Sequence, residues 1–257
     1  MRKLISRLPY ILVGLAALLA MGNIGLLDPG RLARGAANTA VFASSLFPPN
    51  TGVIAILAGA MAETLQMALV GTVIGFILAL PLALVGTRTL FSPWITSPVR
   101  LLLGLVRTIP SLLWALVFVV ALGLGPAAGS LGIAFYTFGY LGKLYYEAFE
   151  GVDREVLEAV KGVGGNRLQL MRFALLPEGA NAILSQLLFI FEYNVRASTI
   201  MGFVGAGGIG FYMLGYIQML QYQSLMTAIL VTLAVVLLID YTSAIVRSRA
   251  LPMQKAA

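Results

Sequence analysis

Glu192, Asn194, Arg196, Ser198 and Thr199 stand together in a largely apolar stretch, LLFIFEYNVRASTIM. A guanidinium and a carboxamide are groups that bind an oxyanion. A carboxylate four residues before an arginine shares its helix face, in the better order for an ion pair. Glu192 can therefore position Arg196 while Arg196 and Asn194 contact an anion. The same residues also suit a buried pair that locks helix packing, and the sequence leaves both readings open. Asn194 and Ser198, again four apart, fall on the other side. A charge in hydrocarbon costs about 2.5–3.5 kcal/mol on insertion scales. A helix polar on two sides therefore belongs at the centre of a bundle, lining a pathway or a subunit seam. Arg107, in RTIPS, is a second pathway candidate, unless it snorkels to an aqueous surface. Glu63 is expected at the external end of its span and Asp240 near the inner end of another, neither with a transport role.

GAGGIG, Gly205 to Gly210, fits G-x-G-x-x-G in form. A dinucleotide fingerprint needs a preceding strand and a surrounding βαβ unit, and neither is suggested here. No G-x-x-x-x-G-K-[ST] occurs in the chain. ATP chemistry, if any, must come from another subunit. Two uses remain for Gly205, Gly207, Gly208 and Gly210. One is a turn where backbones cross closely; the other is a nest of N–H groups forming an external gate or anion contact.

These residues need elements to hold them, and composition says which kind. Of 257 residues, 60% are hydrophobic and 11% charged, with no His and no Cys; the mean hydropathy is +0.94. A soluble domain could not hide that much apolar surface. The absence of His and Cys excludes their metal sites, disulfides and nucleophilic chemistry. The fold class expected is an all-α membrane protein, a helical bundle of about six spans near 8–27, 62–86, 99–122, 126–146, 179–200 and 223–246.

The net charge of +7 reads as topology rather than nucleic-acid binding. With the N-terminus inside, Arg2, Lys3, Arg7, Arg88, Arg100, Lys143, Arg154, Lys161, Arg167, Arg172, Arg247, Arg249 and Lys255 all fall at the cytoplasmic side, and both termini are cytoplasmic. Residues 1–27 read as an uncleaved first span rather than a signal peptide. Residues 28–58 form an external segment in which 28–50 is an interfacial helix or a surface loop. Residues 59–250 are the main transmembrane domain, with 251–257 a cytoplasmic tail. Gly125, Gly129, Gly132, Gly139 and Gly142 make the fourth span a place for close helix approach.

Between the fourth and fifth spans the chain turns charged and amphipathic: EAVKGVGGNRLQLMRFALLP, Glu158 to Pro177. Asp153 can cap a helix from Arg154 to about Lys161. Gly162, Gly164 and Gly165 break it, and Asn166 with Gln169 forms a capping box for a second helix. Leu168, Met171 and Leu175 recur at helical spacing on one face. Pro177 stands where the segment is expected to turn into the next span. A solvated loop would not need that apolar face, which asks for a partner groove.

Glu158-Ala159, Gly164 and Leu176-Pro177 resemble the cytoplasmic coupling motif of ABC-importer permeases. Val160 stands for the motif's second alanine and Ala174 for its usual isoleucine. ETLQMALVGTVIGFILALPLAL, VRTIPSLLWALVF, YLGKLYYEAFEGVD and FEYNVRASTIMGFVGAGGIG are similar to the permease subunit of phosphonate- and phosphite-type importers. The resemblance implies a type I importer permease fold, with 153–177 as the coupling segment. Glu158, Ala159, Gly164, Leu168, Met171, Leu176 and Pro177 would meet the ATPase. It implies a homodimer in the bacterial cytoplasmic membrane, two separate ATPase subunits that bind ATP and Mg, and an external solute-binding protein. No cofactor, metal, catalytic residue or nucleic acid is expected for this chain. The cargo implied is a phosphorus oxyanion. A permease for another small solute, such as an amino acid, is the alternative, and an ion-coupled transporter or channel working alone is a further one.

Overall fold

The computed structural model describes residues 7–250. Among them every regular element is helical. Arg2, Lys3, Lys255 and the 251–257 tail lie outside the described residues. The chain divides into two compact units, Met1–Pro49 and Asn50–Ala257.

The first unit holds α1 (Leu8–Asn23) and α2 (Pro29–Ser45). At about 1.5 Å per residue, the 16 residues of α1 span about 24 Å, short of a ~30 Å hydrocarbon layer. The expected 8–27 helix stops early, and Gly25 follows in the left-handed region (φ +73). The carboxylate of Asp28 then accepts from the N–H groups of Gly30 (2.9 Å) and Arg31 (3.2 Å), and Pro29 fills the first helical position. Residues 29–45 are thus a helix, not a loop.

The second unit is built around α3 (Ile54–Gly86) and α6 (Pro126–Glu150). They press together through glycines. A Cβ on Gly75 would lie 2.6 Å from Thr137 Cβ and 2.8 Å from the Ala134 carbonyl oxygen. The α6 glycines serve its other neighbours. Gly132 meets the Ala115 backbone of α5 (Ser111–Leu122), while Gly139 and Gly142 meet Arg107 and Leu103 of α4 (Pro93–Thr108). A Cβ on Gly125 would meet open space; the residue instead starts α6 at φ +134, its N–H donating to Gly205 O at 3.0 Å. The close approach expected of the fourth span is real, but begins at Gly129.

The span expected over 99–122 is broken. Ile109 is extended because it precedes Pro110, a position that disfavours helix. α4 and α5 meet there at 87°. The Trp114 indole N–H donates to the Val106 carbonyl at 3.0 Å and staples the corner.

α7 (Arg154–Gly162) ends in a Schellman turn. Gly164 takes φ +81, its N–H donates to Lys161 O (2.9 Å), and the Gly165 N–H donates to Val160 O (3.0 Å). Asp153 occupies the N-cap position without a side-chain bond. The Asn166–Gln169 capping box forms in both directions, at 3.0 and 2.8 Å, and opens α8 (Arg167–Leu170).

The chain does not turn at Pro177. A π turn (Met171–Leu175) leads straight into α9 (Leu176–Met201), and Arg167–Val204 forms a single apolar run. Pro177 lacks the N–H that would bond Phe173 O, and the wider turn takes up that gap without a corner. α10 (Gly208–Gln218) and α11 (Tyr222–Ala250) complete the unit.

By length and hydropathy, Thr51–Gly86, Arg167–Val204 and Tyr222–Arg249 can each cross a membrane, and the bent α4–α5 pair makes a fourth candidate. α6 has the length, 25 residues, but earns its place inside the bundle: half of its residues are buried, glycine and tyrosine among them.

Candidate functional site

The elbow, α7 to the π turn, is fixed to the bundle from beneath. Leu157, Leu170 and Leu175 sit in one buried cluster with Leu141, Tyr145 and Phe149 of α6 and Leu103 of α4. Each such side chain contributes about 1.5–3 kcal/mol when taken from water. Arg167 also lies over the Phe91 ring, 5.5 Å from its centroid.

The outward face differs from the one that period arithmetic gives. Leu168 is exposed, Met171 is half-buried and Leu175 is fully buried. The π turn adds a residue to one turn, so Phe173 (61% exposed) points outward in place of Leu175, beside Leu168 (72%) and Val163 (86%) of the preceding turns. Val163, Gly164, Gln169, Phe173 and Ala159 line a groove of about 400 Å³. Glu158 and Pro177 are exposed, and Leu176 is half-buried.

Within the long helices, the expected Glu192–Arg196 pair does not form. Glu192 Oε1 accepts from Arg247 Nη2 at 3.0 Å. Arg196 Nη1 donates to both carboxylate oxygens of Asp240 at 3.1 Å. Both links cross from α9 to antiparallel α11, whose register sets a partner of opposite charge against each. Asp240 and Arg247, assigned no part in the site from sequence, are its missing half. Their signal was available: seven apart, they share a helix face and match Glu192 and Arg196 in opposite sign.

Asn194 is fully buried. Its Nδ2 donates to Thr72 Oγ1 (2.8 Å) on α3 and to Thr137 Oγ1 (2.9 Å) on α6, tying three helices at one point. That leaves its amide nitrogen no exposed face for cargo. Ser198 and Thr199 donate to the Val195 and Arg196 carbonyls of their own helix, at 2.8 and 2.7 Å. Arg107 ends α4, half-buried beside Gly139, and among the described residues it joins none of the ion pairs.

The glycine block makes a turn with positive φ at Gly205, Gly207 and Gly208. Two N–H groups at its end reach α3. Gly208 N–H donates to Glu63 Oε2 at 3.1 Å, and Ile209 N–H to Thr64 Oγ1 at 2.8 Å. The chain's own carboxylate thus occupies part of this turn. Gly210 meets the Thr199 carbonyl and Gly202, where any side chain would collide. Glu63 lies ten residues into α3 rather than at its end.

The fold and this geometry have relatives. The chain is 36% identical over 231 residues (90% of its length, 84% of the relative's) to the phosphite transport system permease protein PtxC of Stutzerimonas stutzeri. It is 36% identical over 203 residues (79% and 72%) to that organism's putative phosphite transport system permease protein HtxC. Among solved structures, an inward-facing form of the MetNI methionine ABC transporter superposes with a TM-score of 0.69 at 23% identity, covering 78% of this chain and 98% of that one. The architecture is that of a type I ABC importer permease. Residues 71–250 match the family described as the inner membrane component of binding-protein-dependent transport systems, and the chain belongs to that family.

Proposed function

We propose that this chain is the translocation subunit of an ATP-driven importer for a phosphorus oxyanion such as phosphite or a phosphonate. The observation that carries the cargo class is 36% identity across 90% of the chain to a phosphite permease. Two copies of the chain pair in the bacterial cytoplasmic membrane with both termini inside. An external binding protein delivers the anion, and two separate ATPase subunits, which bind ATP and Mg, act from the cytoplasm.

The elbow is where those subunits grip. An exposed Val163–Leu168–Phe173 surface beside Lys161, Arg167 and Arg172 suits a groove with an apolar floor and acidic rim. Because Leu157, Leu170 and Leu175 are embedded in the α6 cluster, ATPase closure moves the elbow and α6 as one piece. Alternating access follows: closure opens the pathway outward, and hydrolysis resets it inward. Gly205–Gly210 forms the turn at the outer end.

The test is reconstitution of the chain with its ATPase and binding protein in proteoliposomes. Phosphite uptake should require all three components and ATP. Uptake by the chain alone, or undiminished uptake after deletion of residues 154–176, would refute the reading.

A further inference from the structure

Arg100 and Arg107 on α4, Arg196 on α9 and Arg247 on α11 stand where the long helices pack, and they differ in one respect. Arg100 is neutralised by Glu150, Arg196 by Asp240 and Arg247 by Glu192. Arg107 joins no ion pair among the described residues. Its position is central. The Arg107 backbone lies against Gly139, where a Cβ would come within 2.8 Å of its nitrogen and 3.0 Å of its Cβ. Gly139 sits near the middle of the 25-residue α6, about 17 Å from the nearer end.

Three phenols stand on α6 and on α9, which packs against it. Tyr136 and Tyr140 flank Gly139 on α6, and Tyr193 faces them from α9. The Tyr136 ring stacks on Tyr140 (centroids 5.9 Å apart, 22° between planes) and on Tyr193 (5.7 Å, 27°). Tyr136 and Tyr140 lie three residues and one residue from Gly139, the point against which the Arg107 backbone rests. Tyr193 is 39% exposed, and Arg107, Tyr136 and Tyr140 are half-buried, so the cluster is open on one side. A cation without a counter-ion in an apolar layer is costly. Phenol O–H groups beside it supply donors but no negative charge.

We infer that Arg107, Tyr136, Tyr140 and Tyr193 form a mid-membrane station for the tetrahedral oxyanion, with the passing anion as the counter-ion that Arg107 otherwise lacks. This rests on the importer reading above and replaces Arg196 and Asn194 as cargo contacts. One guanidinium and a few neutral donors hold an anion without trapping it, as a transit site requires.

The experiment uses the complete transporter with labelled phosphite as probe. Arg107→Gln should lower uptake at least about tenfold, the value of one lost charge-assisted bond, while the loaded binding protein still stimulates ATP hydrolysis. Arg107→Lys should retain intermediate uptake, since it keeps the charge and loses the fork. The double variant Tyr136→Phe/Tyr193→Phe keeps the rings and removes two hydroxyls, and should lower uptake with ATPase stimulation intact. Full uptake by Arg107→Gln overturns the proposal. So does full uptake by the tyrosine double variant when Arg107→Gln has lost ATPase stimulation as well, which marks Arg107 as structural. A wild-type complex that hydrolyses ATP but carries neither phosphite nor a phosphonate defeats the cargo reading itself, and this station with it.

Discussion

Asp240→Asn isolates the energetics of the α9–α11 link. In the single protomer Arg196 and Asp240 are 45% and 40% exposed, with the guanidinium shared between both carboxylate oxygens at 3.1 Å. If that face met bulk water, screening would hold the pair to about 1 kcal/mol or less. Both residues belong to helices long and apolar enough to cross a membrane. Removing the carboxylate there leaves a guanidinium whose uncompensated cost is about 2.5–3.5 kcal/mol. Asp240→Asn and Arg196→Gln should therefore each destabilise the protein in nanodiscs by ~2–3 kcal/mol. The double variant, which leaves no orphan charge, should recover most of that loss and retain phosphite uptake. Unfolding free energies of the four proteins give the coupling directly. Single losses under ~1 kcal/mol that simply add in the double variant would refute the argument that this pair is shielded from water. Loss of uptake in a stable double variant would return Arg196 to the list of cargo contacts.

Other expectations can be checked more briefly. Gly164→Val places a β-branched side chain at φ +81, which costs about 1–2 kcal/mol; it should loosen the elbow and lower uptake per ATP hydrolysed, measured as a coupling ratio. Leu168→Asp with Phe173→Asp puts charge on exposed positions, so the chain should fold normally yet lose the ATPase subunits on co-purification. Gly139→Leu forces α4 off α6 and should cost about 1–3 kcal/mol by overpacking, seen as a lowered melting temperature.

How much could be read from residues alone depended on the range of the interaction. Caps and breakers act within a few residues, so the Asn166–Gln169 box and the break at Gly164 were legible. The Pro110 corner was equally local, since its proline is in plain view, yet the apolar run on either side masked it. The π turn defeated the face assignment at Leu175, because helical arithmetic assumes a constant residue count per turn. Long-range pairing was the least visible. A charge such as Arg196 has candidate partners on its own helix and on every neighbour, and only the antiparallel register of α9 and α11 selects Asp240. Asn194 was recognised as central, but its bonds to Thr72 and Thr137 depend on α3 and α6 meeting there through glycines.

Those glycines bear on how the machine could move. Interlocked side chains act as teeth and resist displacement along a helix axis. Where Gly132, Gly139 and Gly142 meet α5 and α4, α6 offers bare backbone instead, and the tooth beside that bearing is Phe135, set 5.1 Å from the Trp114 and Phe118 rings of α5. At its far end α6 is welded to the elbow through Tyr145, Phe149, Leu157 and Leu175. A pull delivered from below would thus slide a shaft through a low-friction collar, and the stroke would be limited by whichever bulky residue first reached the collar's edge.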